Sequence, residues 1–180
     1  MSEVKKNRVV KVIDVTSDGK LLVNVEPTTL LNKMGLGFYN KDIELYVLDI
    51  AELAYIIYKS IATVLDKDGD KLDLMNLFIR YSRSTVDWIK FTVLLDLRDR
   101  GRKARAGYHK NSLIYSKGNS KIMVFVTEEN APLRIALLVE WVSSALSKGY
   151  EPVLAVVDAH GDVTYYSMFP VRVNELGGSE

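Results

Sequence analysis

The chain has 180 residues, 48% of them hydrophobic and 26% charged, with a formal net charge of +1. That length suits one medium domain or two small ones, and the near balance of charge excludes a globally polybasic nucleic-acid binder, so any contact with RNA requires a local patch. The absence of cysteine excludes disulfides, thiolate metal sites and a cysteine nucleophile, and His109 and His160 are too few for a histidine-rich zinc centre. No metal or other cofactor is expected. No apolar run reaches the roughly 18 residues of a membrane span, and Met1-Ser-Glu-Val-Lys-Lys lacks the apolar stretch of a signal peptide, so the expectation is a cytoplasmic protein without membrane contact.

Residues 8–25 alternate apolar and polar about Ser17-Asp-Gly-Lys20 and read as a hairpin turning at Asp18-Gly19. Pro27 ends the second strand, Thr28 or Thr29 caps a short helix through Met34, and Gly35 stops it in the left-handed conformation. A strand is expected over 43–48. Over 49–58, an aspartate cap, Glu52 three residues on and apolar residues at 50, 53, 54 and 57 spell an amphipathic helix. A strand over 61–65 leads into Asp66-Lys-Asp68-Gly69-Asp70. A calcium loop needs glycine at its sixth position and glutamate at its twelfth, where this chain has Lys71 and Leu77, so the cluster reads as a solvated turn before a helix over 73–82.

Ser82-Arg83-Ser84 resets the pattern, and the boundary is placed there, between an amino-terminal α/β domain over 1–83 and a carboxy-terminal domain over 84–180. Ser84 or Thr85 caps a helix over 86–99, apolar at 86, 89, 93 and 97, that stops at Gly101. Short strands follow near 102–106 and 112–116, then a longer one over 121–127. A helix over 132–147 starts with Pro132 in its first turn, and strands at 153–157 and 163–169 close the fold. The class is α/β, more closely α+β, and the tail 176–180 reads as disordered.

Between Arg98 and Lys110 lie Arg98, Arg100, Arg102, Lys103, Arg105 and Lys110 against a single acid, Asp99. This is a candidate RNA-binding patch, with Tyr108 and His109 placed to stack on a base. Its other reading is a solvated helix end and an edge strand protected by charge.

Four blocks in register resemble one family. They are Leu31-Asn-Lys-Met-Gly-Leu-Gly37 with the acid-containing Glu52-Leu-Ala-Tyr55, then Phe91-Thr-Val-Leu-Leu-Asp-Leu-Arg-Asp-Arg-Gly101, then Gly107-Tyr108, and most closely Val156-Val-Asp-Ala-His-Gly-Asp-Val-Thr-Tyr-Tyr166. Together they resemble the archaeal tRNA-splicing endonucleases. The resemblance implies a restriction-endonuclease-like carboxy-terminal domain, a mixed sheet flanked by helices. It also implies metal-free cleavage of the bulge-helix-bulge of precursor tRNA by a tyrosine, histidine and lysine triad. That chemistry needs a base for the 2′-hydroxyl proton, an acid for the leaving oxygen and a cation over the charged transition state. By the resemblance Tyr115 falls at the tyrosine, Asn119 at the histidine, and Tyr150 or Glu151 at the lysine. Asparagine does not titrate, and neither tyrosine nor glutamate supplies positive charge at neutral pH, so two of three roles are missing. His109 and Lys148 are the residues at hand to replace them, and the tightness of catalytic geometry counts against both.

A copy degraded in this way resembles the structural subunit of heterotetrameric members, which combine two catalytic and two structural chains. The resemblance implies that the loop carrying Asp158, His160 and Asp162 docks into a basic cleft on the opposite subunit, although turn chemistry alone also accounts for its aspartates. It further implies a dimer strand containing Val163, Tyr165, Tyr166 and Met168. The expected partners are a catalytic endonuclease subunit and precursor tRNA. The rival readings are an active RNA endonuclease subunit with a rearranged triad, and an RNA-binding or assembly protein on the same fold.

Overall fold

A computed structural model describes residues 8–170; the tail 176–180 lies outside the described residues. Val9–Val15 (β1) and Leu21–Glu26 (β2) form the expected hairpin, with Gly19 at φ +86° in its turn. Leu30–Met34 (α1) ends at Gly35 at φ +63°, a left-handed stop that suits glycine. Phe38–Asn40 (β3) is a short strand with no alternating pattern to announce it, and Leu45–Leu48 (β4) pairs with it. Ile50–Tyr58 (α2) begins with the full capping box of Asp49 and Glu52. Thr63–Leu65 (β5) joins β1 in parallel, which completes a sheet ordered β3-β4-β2-β1-β5.

The acidic stretch after β5 is the expected solvated turn over 67–70, but the carboxylate that opens it is not solvated. Asp66 is fully buried, accepts the Asp68 and Asp70 N–H groups at 2.9 Å each, and pairs with Arg80 of Leu74–Tyr81 (α3). A carboxylate that satisfies two turn amides and a guanidinium holds the loop to the next helix, a role that net composition cannot signal.

The second half is built on a sheet ordered β10-β9-β8-β7-β6. Its members are Arg105–Ala106 (β6), Ser112–Lys117 (β7), Ser120–Glu128 (β8), Glu151–Val157 (β9) and Val163–Ser167 (β10). β8 and β9 run parallel and the other pairs antiparallel, so the sheet is mixed. Thr85–Asp99 (α4) covers one face and Ile135–Ser147 (α5) the other. α5 starts three residues later than its proline suggested, leaving Pro132 in the preceding segment. This is the restriction-endonuclease-like layout of a mixed sheet between helices, within an α+β fold.

The hydrophobic core does not stop between the halves. One cluster runs from Val10, Leu21 and Leu53 through Leu94 and Leu97 of α4 to Val124 and Ala155. A smaller one, under α5, holds Ile114, Met123, Phe125, Trp141 and Ala145, where the Phe125 and Trp141 rings stack at 4.8 Å. At about 1.5–3 kcal/mol for each large side chain fully buried, the shared cluster holds the two sheets together.

Polar contacts cross the same seam. Glu52, only 1% exposed, accepts the Gly37 N–H and the Ala106 N–H at 3.1 Å each and the Asp49 N–H at 2.9 Å. Arg98 donates to the carbonyls of Ala104, Met34 and Gly35 and lies over the Tyr55 ring.

Candidate functional site

Residues opposite one another across paired strands project to the same face, and successive residues alternate. Tyr115 pairs with Ile122, which pairs with Glu151, so these three share the α4 side of the second sheet. Lys117 and Ser120, opposite one another and two residues on, share it as well. Ser120 Oγ donates to Glu151 Oε1 at 2.6 Å. Burial pushes the Tyr115 phenol up from its ordinary value, the guanidinium of Arg102 pulls it back, and the Glu151 carboxylate pushes it up again. The result is a protonated phenol, a hydroxyl, a carboxylate and two cations along one edge of a sheet.

Two of the expected positions fall elsewhere. Asn119 occupies the exposed two-residue turn between β7 and β8, after Gly118 at φ +59°, and it is Ser120 that enters the Tyr115 face. Tyr150 stands immediately before β9 and points to the α5 side, where it packs on the smaller cluster and its hydroxyl lies 3.2 Å from that of Tyr108. Of the two residues aligned with a lysine, Glu151 therefore faces Tyr115 and Tyr150 does not. The reason is the period of two along a strand, which sends neighbours to opposite sides.

His109 and Lys148 lie away from Tyr115. His109 Nε2 lies 2.8 Å from Ser144 Oγ, its ring sits 5.6 Å from that of Phe125, and Lys148 Nζ donates to the same Ser144 Oγ at 3.2 Å. Both belong to the α5 side of the sheet, across from Tyr115. His160 lies beyond the far end of β9, about 20 Å along the strand from Glu151. No imidazole stands beside Tyr115, and the Glu151 carboxylate on this face opposes the negative charge that a phosphoryl transition state develops.

The loop from Asp158 to Asp162 is a tight, pre-formed turn. Asp158 Oδ1 accepts the His160 N–H at 2.8 Å and the Asp162 N–H at 2.9 Å, and Gly161 at φ +88° closes the reversal. Those backbone donors, chiefly Asp162 and His160, hold the Asp158 carboxyl below its ordinary range. Asp158 is thus engaged within the turn, whereas the Asp162 and His160 side chains project into solvent.

Among the described residues β10 is an edge strand, paired to β9 alone. Val163 and Tyr165 face the main core, and Tyr165 donates to Asp96 Oδ2 at 2.6 Å. Met168 packs on the α5 side, while Tyr166 is 54% exposed and Phe169 73%. One flank of α5 is also apolar and open, with Ile135, Val139 and Leu146 exposed at helical spacing.

The basic stretch is dispersed by the fold. Arg98 is consumed between the halves, as described, and Arg100 pairs with Asp96 over the Tyr165 ring. Arg102 lies beside Tyr115, Lys103 and Lys110 are exposed, and Arg105 pairs in register with Ile114, which places it on the α5 side. Arg98 spends three of its five N–H donors on backbone carbonyls, and Arg102 and Arg105 lie on opposite sides of the sheet. Four residues with structural weight carried no site signal in the sequence: Lys90, Ser120, Lys117 and Lys121.

A mixed sheet held between helices is the restriction-endonuclease-like frame, and here it carries a tyrosine and two cations at one edge. Residues 88–165 match the family model described as tRNA intron endonuclease, catalytic C-terminal domain. The chain is 33% identical over 129 residues to a tRNA-splicing endonuclease of Methanococcus vannielii, covering 67% of this chain and 73% of that protein. It is 34% identical over 145 residues to one of Pyrococcus horikoshii, covering 77% of this chain and 83% of the relative. Against a tRNA-splicing endonuclease of Methanosarcina acetivorans it is 30% identical over 128 residues, which span 36% of that protein. The chain belongs to the tRNA-splicing endonuclease family.

Proposed function

We propose that this chain is the structural subunit of a tRNA-splicing endonuclease that removes introns from precursor tRNA at bulge-helix-bulge motifs, supporting and positioning a catalytic subunit. The observation that carries the reading is the face of the sheet around Tyr115, where Ser120 and Glu151 stand in line and no imidazole is near. In the assembly, two such chains join two catalytic chains. The turn bearing Asp158, His160 and Asp162 docks on a partner, and the free edge of β10, with exposed Tyr166 and the apolar flank of α5, forms the dimer contact. An uncovered edge with large apolar side chains is suited to pairing with another chain. On this reading the amino-terminal unit ends near residue 83, just before α4 begins.

The purified chain, alone and co-expressed with a catalytic family member, decides this. The expected result is no cleavage of a bulge-helix-bulge RNA by the chain alone, and a native mass of two plus two chains with the partner. Cleavage by the chain alone that is abolished by Tyr115→Phe would overturn the reading. That outcome would favour an active subunit with a rearranged triad, for which the shared face of Tyr115 and Lys117 is the supporting feature.

A further inference from the structure

The α5 side of the second sheet carries a polar surface of its own. Lys121 alternates with Ile122 along β8, so it faces away from Tyr115; the parallel register of β8 and β9 sets it beside Tyr150. Lys148, at the end of α5, is tethered to Ser144. Arg105 reaches the same surface from β6 and acts on the Tyr150 phenol. Strand spacing of about 5 Å puts Arg105 and Lys121 on strands about 10 Å apart. Beside Arg105, Tyr108 and Tyr150 meet edge to face with centroids 5.8 Å apart, and Tyr108 is 61% exposed. Glu140, one turn before Ser144 on α5, is an acid on this side, and Glu151 is turned to the opposite face.

We infer that this surface is a second RNA-binding site, with Arg105, Lys121 and Lys148 on phosphates of a single strand and the Tyr108 ring stacked on a base. An exposed aromatic ring framed by fixed cations is the minimal platform for a flexible nucleic-acid strand: the ring accepts any base face, and the cations follow the backbone. Uniform positive charge alone favours acidic protein as well; the open tyrosine ring favours RNA. The site holds whether the chain is structural or catalytic, since it lies across the sheet from Tyr115.

The test is fluorescence anisotropy of the full chain with a short single-stranded RNA and with a bulge-helix-bulge RNA, over a range of salt. Lys121→Glu with Lys148→Glu is expected to weaken single-strand binding at least tenfold and to flatten the salt slope by about 1.4, at about 0.7 per lost phosphate contact. Tyr108→Ala is expected to weaken binding with the slope unchanged, and Lys117→Glu, on the other face, to leave it within twofold. Unchanged thermal midpoints show that the variants fold. If Lys117→Glu weakens binding and the Lys121 and Lys148 pair does not, RNA runs over the Tyr115 face and the inference is wrong. If RNA binding is unaffected while the pair loses a catalytic subunit, the surface binds protein and the inference is equally wrong.

Discussion

Lys90 Nζ lies 2.8 Å from Asp49 Oδ2, and the lysine side chain is wholly buried. The same carboxylate oxygen takes Lys20 Nζ at 2.6 Å, and the Lys90 ammonium also donates to the Lys110 carbonyl at 2.8 Å. Burial pushes the Asp49 carboxyl up, but the two ammonium groups together outweigh it and hold it down at about 2. The pair joins the cap of α2 to the middle of α4, and so ties one half of the chain to the other.

Removing one partner leaves the other as an uncompensated buried charge. Asp49→Ala is expected to cost about 3–5 kcal/mol in urea unfolding, and Lys90→Met less, because Asp49 keeps Lys20. A carboxyl with a depressed folded value stabilises fully above the ordinary carboxylate range near 4, and that contribution disappears as pH falls from about 4 to about 2. Comparing the pH dependence of unfolding in Lys90→Met and the parent chain measures it: the variant is expected to lose less stability across that window.

The Tyr115 face offers a gain-of-function test. Ser120→His with Glu151→Lys sets an imidazole and an ammonium in line with Tyr115 on one face, which neither change achieves alone. The double variant is expected to cleave a bulge-helix-bulge RNA above the level of the parent chain, read by denaturing gel on end-labelled RNA. Adding Tyr115→Phe is expected to reduce that cleavage by about 10²–10⁴-fold, the usual share of a positioned proton-transfer group. The corresponding change at the turn, Asn119→His with Glu151→Lys, is expected to remain at background.

The two aspartates of the β9–β10 turn separate under mutation. Asp158→Lys deprives two backbone N–H groups of their acceptor and is expected to lower stability by about 1–3 kcal/mol in addition to any effect on assembly. Asp162→Lys, at an exposed position, is expected to leave the thermal midpoint within about 2 °C while reducing the native mass of the co-expressed complex. Light scattering and thermal unfolding on the same samples distinguish the two effects.

Gly37 supplies a test of the seam. A Cβ there would lie 2.6 Å from the Val47 carbonyl and 2.8 Å from Leu48, at φ +59°. Gly37→Ala is expected to destabilise the chain by about 1–3 kcal/mol or more, since it strains the backbone and displaces an amide from Glu52. Thermal unfolding checks it.

Elements with strong periodicity or caps were readable in the residues: the β1–β2 hairpin, α2 with its capping box, and α4 up to Gly101. β3 was not, because three residues are too short for an alternation to show. Lys90 was hidden in a different way. It lies four residues after Val86 and three before Val93, squarely in the apolar stripe of α4, and a lysine in such a stripe is itself the mark of a buried ion pair. At the candidate site the residues point to Tyr115, to Asn119 and to either Tyr150 or Glu151, and the fold sets Glu151 and Ser120 on the Tyr115 face. Asn119 and Tyr150 stand next to Ser120 and Glu151, and one step along a strand reverses the face. The charges from Arg98 to Lys110 looked like one group because composition along the chain is blind to which of them a fold consumes. For Arg98, three backbone carbonyls decide that, and they come from two different halves.

The Glu52 carboxylate, which grips amides from α2, from the loop after α1 and from β6, gives this protein the character of a gauge block. With its amino-terminal and carboxy-terminal parts locked at one carboxylate, the spacing between the acidic turn, the open edge strand and the cationic surface is cast into the monomer. Whatever docks on one of these features meets the others at a fixed distance.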